Sequence, residues 1–123
     1  MDKILNFGRY LFPISFLLYV GLHFGKPETG ADFLPDWFPA PLFTNYLTGV
    51  LILLFIISTL IGKYDKLATV LMAIYVLLTI FFIHAPNAAS SEMDMINIFR
   101  NIMVIGALLV YAKYATRDNR IIG

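Results

Sequence analysis

Two stretches of this chain, residues 47–61 and 67–83, contain no charged side chain, and only five residues separate them. A helix that crosses the hydrocarbon core of a bilayer, about 30 Å thick, needs roughly 20 mainly apolar residues. With their flanking residues, the two stretches therefore predict membrane-spanning helices near residues 43–62 and 67–84.

Two further spans are predicted near residues 4–24 and 96–114, although each carries an arginine, Arg9 and Arg100 respectively. The composition supports four spans, since 59% of the residues are hydrophobic and 14% are charged, whereas soluble domains have about half and about a quarter. A bilayer accommodates that much apolar surface because lipid surrounds the outside of the bundle. The expected fold is an all-α, four-transmembrane-helix bundle that forms one domain over residues 1–123.

The first apolar stretch has an alternative interpretation as a cleaved signal peptide. It is followed by Gly25-Lys26-Pro27 rather than by an A-x-A-like cleavage site, so an uncleaved span is preferred. Pro13 lies inside this span and predicts a mild kink, because proline cannot donate to the carbonyl four residues before it.

The orientation follows from the basic residues in the short loops. One face collects six of them, and the opposite face has only Lys26 in the long loop 25–42; the six are Lys3, Lys63, Lys66, Lys113, Arg117 and Arg120. Because cytoplasmic loops carry an excess of lysine and arginine, both termini are predicted to be cytoplasmic. The long loop is rich in proline and aromatic residues and is expected to form a short re-entrant or surface-lying segment on the outer side.

Polar residues within a membrane are costly and often functional. At a helix rise of 1.5 Å per residue, His23 and His84 fall at the outer boundary and Arg100 lies roughly 8 Å below it. The cluster suits a polar, anionic or carbonyl-bearing group, such as a quinone headgroup or a lipid phosphate, because arginine donates and histidine donates or accepts. The candidate ligand-binding residues are His23, Trp37, His84, Asn97, Arg100 and Asn101. The alternative is that these residues are independent interface anchors, with the histidines at helix ends and Arg100 extended towards the headgroups.

Other classes of function are disfavoured by the composition. The chain has no cysteine, which excludes disulfides, thiolate metal sites and iron–sulfur clusters within it. A net charge of +1 gives no electrostatic footprint for nucleic acid. A metal site from the two histidines with Glu92 or Asp94 is disfavoured because the histidines lie on different predicted helices. No catalytic residue is predicted.

Several short motifs occur in an order and spacing that resemble the DoxX family of small four-helix membrane proteins. They are GRYLF (8–12), GLHF (21–24), FLPDWFP (33–39), YLTG (46–49), IGKYDKLA (61–68), IHAP (83–86), NIFRN (97–101) and GALLVYA (106–112). Members often carry a Lys-Asp pair where this chain has Arg100-Asn101, so the positive charge is kept and the carboxylate is lost.

The resemblance implies a multi-pass protein of the bacterial inner membrane. The leading hypothesis is a non-catalytic accessory or assembly subunit of a larger membrane complex, with a membrane-protein partner or a homo-oligomer in the lipid bilayer. The alternative is a quinone-linked redox subunit, similar to that of a thiosulfate:quinone oxidoreductase, with the headgroup at the outer polar cluster. A small-solute transporter ranks last, because the chain lacks internal repeats and broken half-helices.

Overall fold

The structure is a computed structural model that describes residues 1–26, 28, 38–87 and 89–118. Over these ranges the chain is helical and contains no β-strand. The helices are α1 (Asp2–Ile14), α2 (Leu17–Gly25), α3 (Pro41–Ile61), α4 (Asp65–Thr79), a π-helical turn (Ile80–His84), a short 3₁₀ turn (Ala85–Asn87) and α5 (Glu92–Tyr114).

Four helical stretches are long and apolar enough to cross a membrane. This confirms the predicted all-α architecture and the predicted number of helices of that length and hydropathy among the described residues. They are Asp2–Gly25, Pro41–Ile61, Asp65–His84 and Glu92–Tyr114. The last begins four residues before the predicted residue 96. The reason is a helix cap, since the Ser91 hydroxyl accepts a hydrogen bond from the backbone N–H of Asp94 at 3.2 Å.

The first span consists of two helices, with a break at Ser15 and Phe16. Pro13 has no N–H to donate to the carbonyl of Arg9, and the Tyr111 hydroxyl of α5 donates to that carbonyl instead, at 2.7 Å. The Phe16 N–H donates to the Pro13 carbonyl at 3.1 Å, one residue closer than in an α-helix. The bend therefore leaves a carbonyl within the span whose donor comes from another helix, as backbone in lipid requires.

Because the Tyr111 hydroxyl replaces the missing N–H of Pro13 as donor to the Arg9 carbonyl, the effect of Tyr111→Phe on stability should depend on the residue at position 13. Removing the hydroxyl leaves the Arg9 carbonyl without that donor and should lower the free energy of unfolding by about 1–3 kcal/mol. In a Pro13→Ala background the residue 13 N–H can donate to the same carbonyl, so Tyr111→Phe should cost much less. A double-mutant cycle measured by denaturing-detergent titration checks this, and equal costs in both backgrounds would contradict it.

The core of the bundle lies between α2, α3, α4 and α5. Its buried members are Phe16, Ile52, Phe55, Ile56, Met72, Ala73, Val76 and Leu108. Gly49 of α3 permits a close approach of α2, because a Cβ at this position would lie 2.9 Å from the His23 Cβ. This contact fixes the end of α2 against α3 and positions His23.

A buried carboxylate joins the α3–α4 turn to the residues that follow α5. Asp65 is only 2% exposed, and it accepts backbone hydrogen bonds from Lys66 at 2.9 Å, Arg117 at 2.8 Å and Asp118 at 2.9 Å. Asp118 in turn accepts from the backbone N–H of Tyr64 at 2.6 Å. We call these contacts the Asp65 clasp. They place the α3–α4 turn and the end of α5 on the same side of the bundle.

Candidate functional site

All four spans contribute to a cavity of about 300 Å³ at the end of the bundle opposite the Asp65 clasp. Its polar lining consists of His23, Lys26, Asn45, Thr79, His84, Asn97, Arg100 and Asn101, and its apolar lining includes Phe16, Leu22, Ile52, Met72, Val76 and Val104. Phe16, Ile52, Met72 and Val76 also belong to the core. This histidine cavity therefore extends from polar side chains near the helix ends to apolar side chains in the middle of the bundle.

Five of the six residues selected from the sequence line this one cavity: His23, His84, Asn97, Arg100 and Asn101. The sixth, Trp37, lies outside the described residues. Asn45 and Thr79 also line the cavity but were not among the residues predicted from the sequence. An asparagine in an apolar span is a signal that could have identified Asn45, whereas threonine is too common in membrane helices to be informative.

His23 and Asn45 form a reciprocal pair between α2 and α3. The Asn45 side-chain amide donates to the backbone carbonyl of His23 at 2.8 Å, and the His23 Nδ1 lies 3.0 Å from the backbone carbonyl of Asn45. Because a carbonyl can only accept, Nδ1 carries the hydrogen in this contact. In the neutral ring, Nε2 is then an acceptor that is free for a ligand.

His84 is held in a similar way by a carboxylate. Its Nδ1 lies 2.9 Å from the Asp94 Oδ1 of α5, and Asp94 is fixed by the Ser91 cap. A carboxylate accepts, so Nδ1 of His84 carries the hydrogen and Nε2 is left for another partner. The same contact is an ion pair when the His84 ring is protonated.

The π-helical turn brings His84 to the cavity. At about 100° per residue, an α-helix would place residue 84 about 140° around the axis from Thr79. A π turn, whose hydrogen bonds run from i to i+5, has more residues per turn and rotates less per residue. Thr79 and His84 consequently line the same cavity.

Arg100 provides the positive charge of the cavity wall on α5. No described residue forms an ion pair or a hydrogen bond with its guanidinium. The Arg100 residue is exposed when the surrounding lipid is left out. A guanidinium offers five donors in a planar fork. Arg100 can therefore donate to a carbonyl or an anionic oxygen that enters the cavity.

Asn45 presents a buried side-chain acceptor to the cavity. The residue is 3% exposed, and its Oδ1 is buried without a hydrogen-bond donor among the described residues. A buried unsatisfied acceptor costs about 1–3 kcal/mol. A hydroxyl or amine of a bound molecule would satisfy it. By contrast, Asn101 is tied to α4, since its amide donates to the Thr79 hydroxyl at 3.2 Å.

The cavity thus combines acceptors on α2, on α3 and in the π-helical turn with donors on α5 above an apolar interior. Within the described part of the chain, no three histidine, cysteine, aspartate or glutamate side chains are grouped to hold a metal ion. This chemistry suits a polar head that both donates and accepts, attached to an apolar body.

Comparison of the chain with family models, with curated proteins and with solved structures found no match.

Proposed function

We propose that this chain is a DoxX-like multi-pass protein of the bacterial inner membrane with both termini in the cytoplasm. The Asp65 clasp supports a shared side for the α3–α4 turn and the end of α5. The contact between Tyr111 and Arg9 supports the same side for the start of α1. Five of the basic residues that predict the orientation, Lys3, Lys63, Lys66, Lys113 and Arg117, belong to these segments.

The absence of cysteine makes the orientation easy to test. Single cysteines at the exposed positions Lys3 and Lys63 should react with an impermeant maleimide only after the membrane is permeabilised, whereas Ser90→Cys should react in intact cells. Labelling of the cysteine at Lys63 in intact cells, with Ser90→Cys protected, would reverse the proposed orientation.

We propose further that the protein binds the polar head of an amphipathic molecule in the histidine cavity, as a subunit of a larger membrane complex. The observation that carries this proposal is a cavity in which the buried Oδ1 of Asn45 and the guanidinium of Arg100 both lack a partner among the residues that the structure describes. A purely structural bundle has no need of a polar cavity that leaves an acceptor and a cation unsatisfied.

A quinone fits this donor set, in agreement with the family resemblance. The guanidinium of Arg100 would donate to a carbonyl oxygen of the oxidised form. The acceptors, Asn45 Oδ1 and Nε2 of His23 and His84, match the hydroxyl groups of the reduced form. When bound, a quinone would supply electron and proton transfer, and the residues of this chain would orient the headgroup and hold its protons.

The second candidate is an accessory or assembly subunit with no ligand of its own. It is favoured by the apolar outer surfaces of α3 and α4, where Leu51, Leu54, Leu71 and Ile74 are about half exposed. In a membrane these side chains contact either lipid or a partner protein.

Binding to the wild-type protein separates the two candidates. The protein would be purified in nanodiscs that contain a native lipid extract, and bound lipophilic molecules would be identified by mass spectrometry. Saturable binding of a short-chain quinone or quinol would then be measured by calorimetry. The ligand-binding proposal predicts about one site per chain. Absence of any bound quinone, together with a co-purifying membrane protein, would favour the accessory subunit.

A further inference from the structure

A second cavity lies outside the histidine cavity, in a groove between α1 and α5 near the Asp65 clasp. It has a volume of about 490 Å³. Its polar lining includes Asn6, Arg9 and Tyr114, and its apolar lining includes Leu5, Phe12 and Val110. Gly8 and Gly106 both line the groove, and each leaves open space there, since a Cβ at either position would meet nothing within 4 Å.

Arg9 is the one charged residue in the described lining of this groove, and no described residue forms an ion pair with it. Its Nε is buried and has no hydrogen-bond partner among the described residues. The described lining of the groove contains no acidic side chain. The neighbouring Tyr111 hydroxyl contacts the backbone of Arg9, to whose carbonyl it donates, and Nε of the guanidinium is left without a partner among the described residues. An uncompensated cation in an apolar span is costly, so an anionic partner is expected.

The position of Arg9 matches the depth of lipid phosphates. Arg9 lies seven residues from the start of α1, which is about 10 Å along the helix. Side chains of a helix point towards its N-terminus, so the guanidinium extends towards the membrane surface at the start of α1. A phosphate at that surface is within its reach, and an acyl chain attached to the phosphate would lie along Phe12 and Val110.

We propose that the groove between α1 and α5 binds one anionic phospholipid, whose phosphate is held by Arg9. The charge of Arg9 favours a lipid over an apolar helix of a second copy, because such a helix would leave the guanidinium unpaired. The open space at Gly106 favours an acyl chain as the occupant. This inference is independent of any ligand in the histidine cavity.

Native mass spectrometry of the detergent-purified protein tests the charge requirement. With equimolar phosphatidylglycerol and phosphatidylcholine, the wild type should retain one phosphatidylglycerol per chain in preference to phosphatidylcholine. Arg9→Gln should weaken this retention about tenfold. Lys3→Gln removes a charge from an exposed position of the same helix outside the groove and should leave retention unchanged.

Filling the groove tests the site itself. Gly106→Leu adds a side chain in open space and raises helix propensity, so the fold should persist while the lipid is displaced. Gly21→Leu is the matched control, since a Cβ there also meets nothing and Gly21 lines neither cavity. Equal retention by wild type, Arg9→Gln and Gly106→Leu would overturn the proposal. So would a wild-type dimer without lipid that Gly106→Leu dissociates, because the occupant would then be a second copy.

Discussion

Replacing Asp65 with alanine is expected to lower the free energy of unfolding by about 3–5 kcal/mol, the largest stability effect that we predict for one residue. The carboxylate is buried and accepts from three backbone N–H groups at 2.8–2.9 Å. Removing the carboxylate leaves all three N–H groups without their acceptor. Because two of them belong to Arg117 and Asp118, the segment after α5 should also detach from the α3–α4 turn.

Denaturing-detergent titration and proteolysis of the C-terminal segment together measure this effect. Asp65→Asn should be intermediate, because one oxygen remains while its NH₂ group faces a backbone donor. Asp2→Ala is the control, since Asp2 is an exposed carboxylate in the first turn of α1. A cost below 1 kcal/mol for Asp65→Ala, similar to that of the control, would contradict the clasp.

Arg100→Gln is expected to weaken binding of a quinone analogue by tenfold or more while the four-helix fold persists. A hydrogen bond to a charged group contributes about 1.5–3 kcal/mol, and each 1.4 kcal/mol is a factor of ten in affinity. Arg100 forms no ion pair or hydrogen bond with a described residue that would be lost with it. The mutation should therefore affect the ligand and leave the free energy of unfolding almost unchanged.

Two variants sharpen this experiment. Lys113→Gln removes a positive charge at the other end of α5, where the ammonium lies over the Tyr114 ring, and should leave the affinity unchanged. His84→Ala should weaken binding and also destabilise the fold somewhat, because it removes the partner of Asp94. If Arg100→Gln and Lys113→Gln had equal affinities, Arg100 would be an interface anchor only.

The spans could be predicted from the sequence because membrane helices are set by local properties. A charge-free stretch of about 20 residues has few alternatives in a bilayer. Residues 47–61 and 67–83 illustrate this, since both lie inside long helices of the structure. The break in the first span was only partly foreseen. Pro13 predicted a kink, but the sequence could not show that Tyr111, 98 residues later, supplies the donor.

For the candidate site, the sequence could predict how deep each residue lies in the membrane. By counting residues, His23 and His84 fall at the outer boundary and Arg100 roughly 8 Å below it, and the bundle brings all three to one cavity. Counting residues does not give the rotation of each helix about its own axis, which decides which side chains face the cavity. The π turn that reorients His84 has no clear sequence signature, and Asn45 gained significance only when its partner and its unpaired oxygen were visible.

Asp65 shows the limit of sequence reasoning in this chain. It lies in a short turn between two lysines, where nothing in the sequence predicts burial, since charged residues are rarely buried. Its burial depends on two N–H groups from residues more than 50 positions away. Such long-range backbone contacts follow from the assembled bundle and leave no local pattern.

Photoaffinity labelling tests the proposed ligand site most directly. A quinone analogue with a photoreactive group on the ring would be added to wild-type protein in nanodiscs, and the labelled peptides would be mapped by mass spectrometry. Our account predicts labelling within residues 79–84 and 97–104, competition by excess unlabelled quinone, and its loss in Arg100→Gln. Labelling confined to lipid-facing positions such as Leu51 and Leu71, without competition, would contradict it.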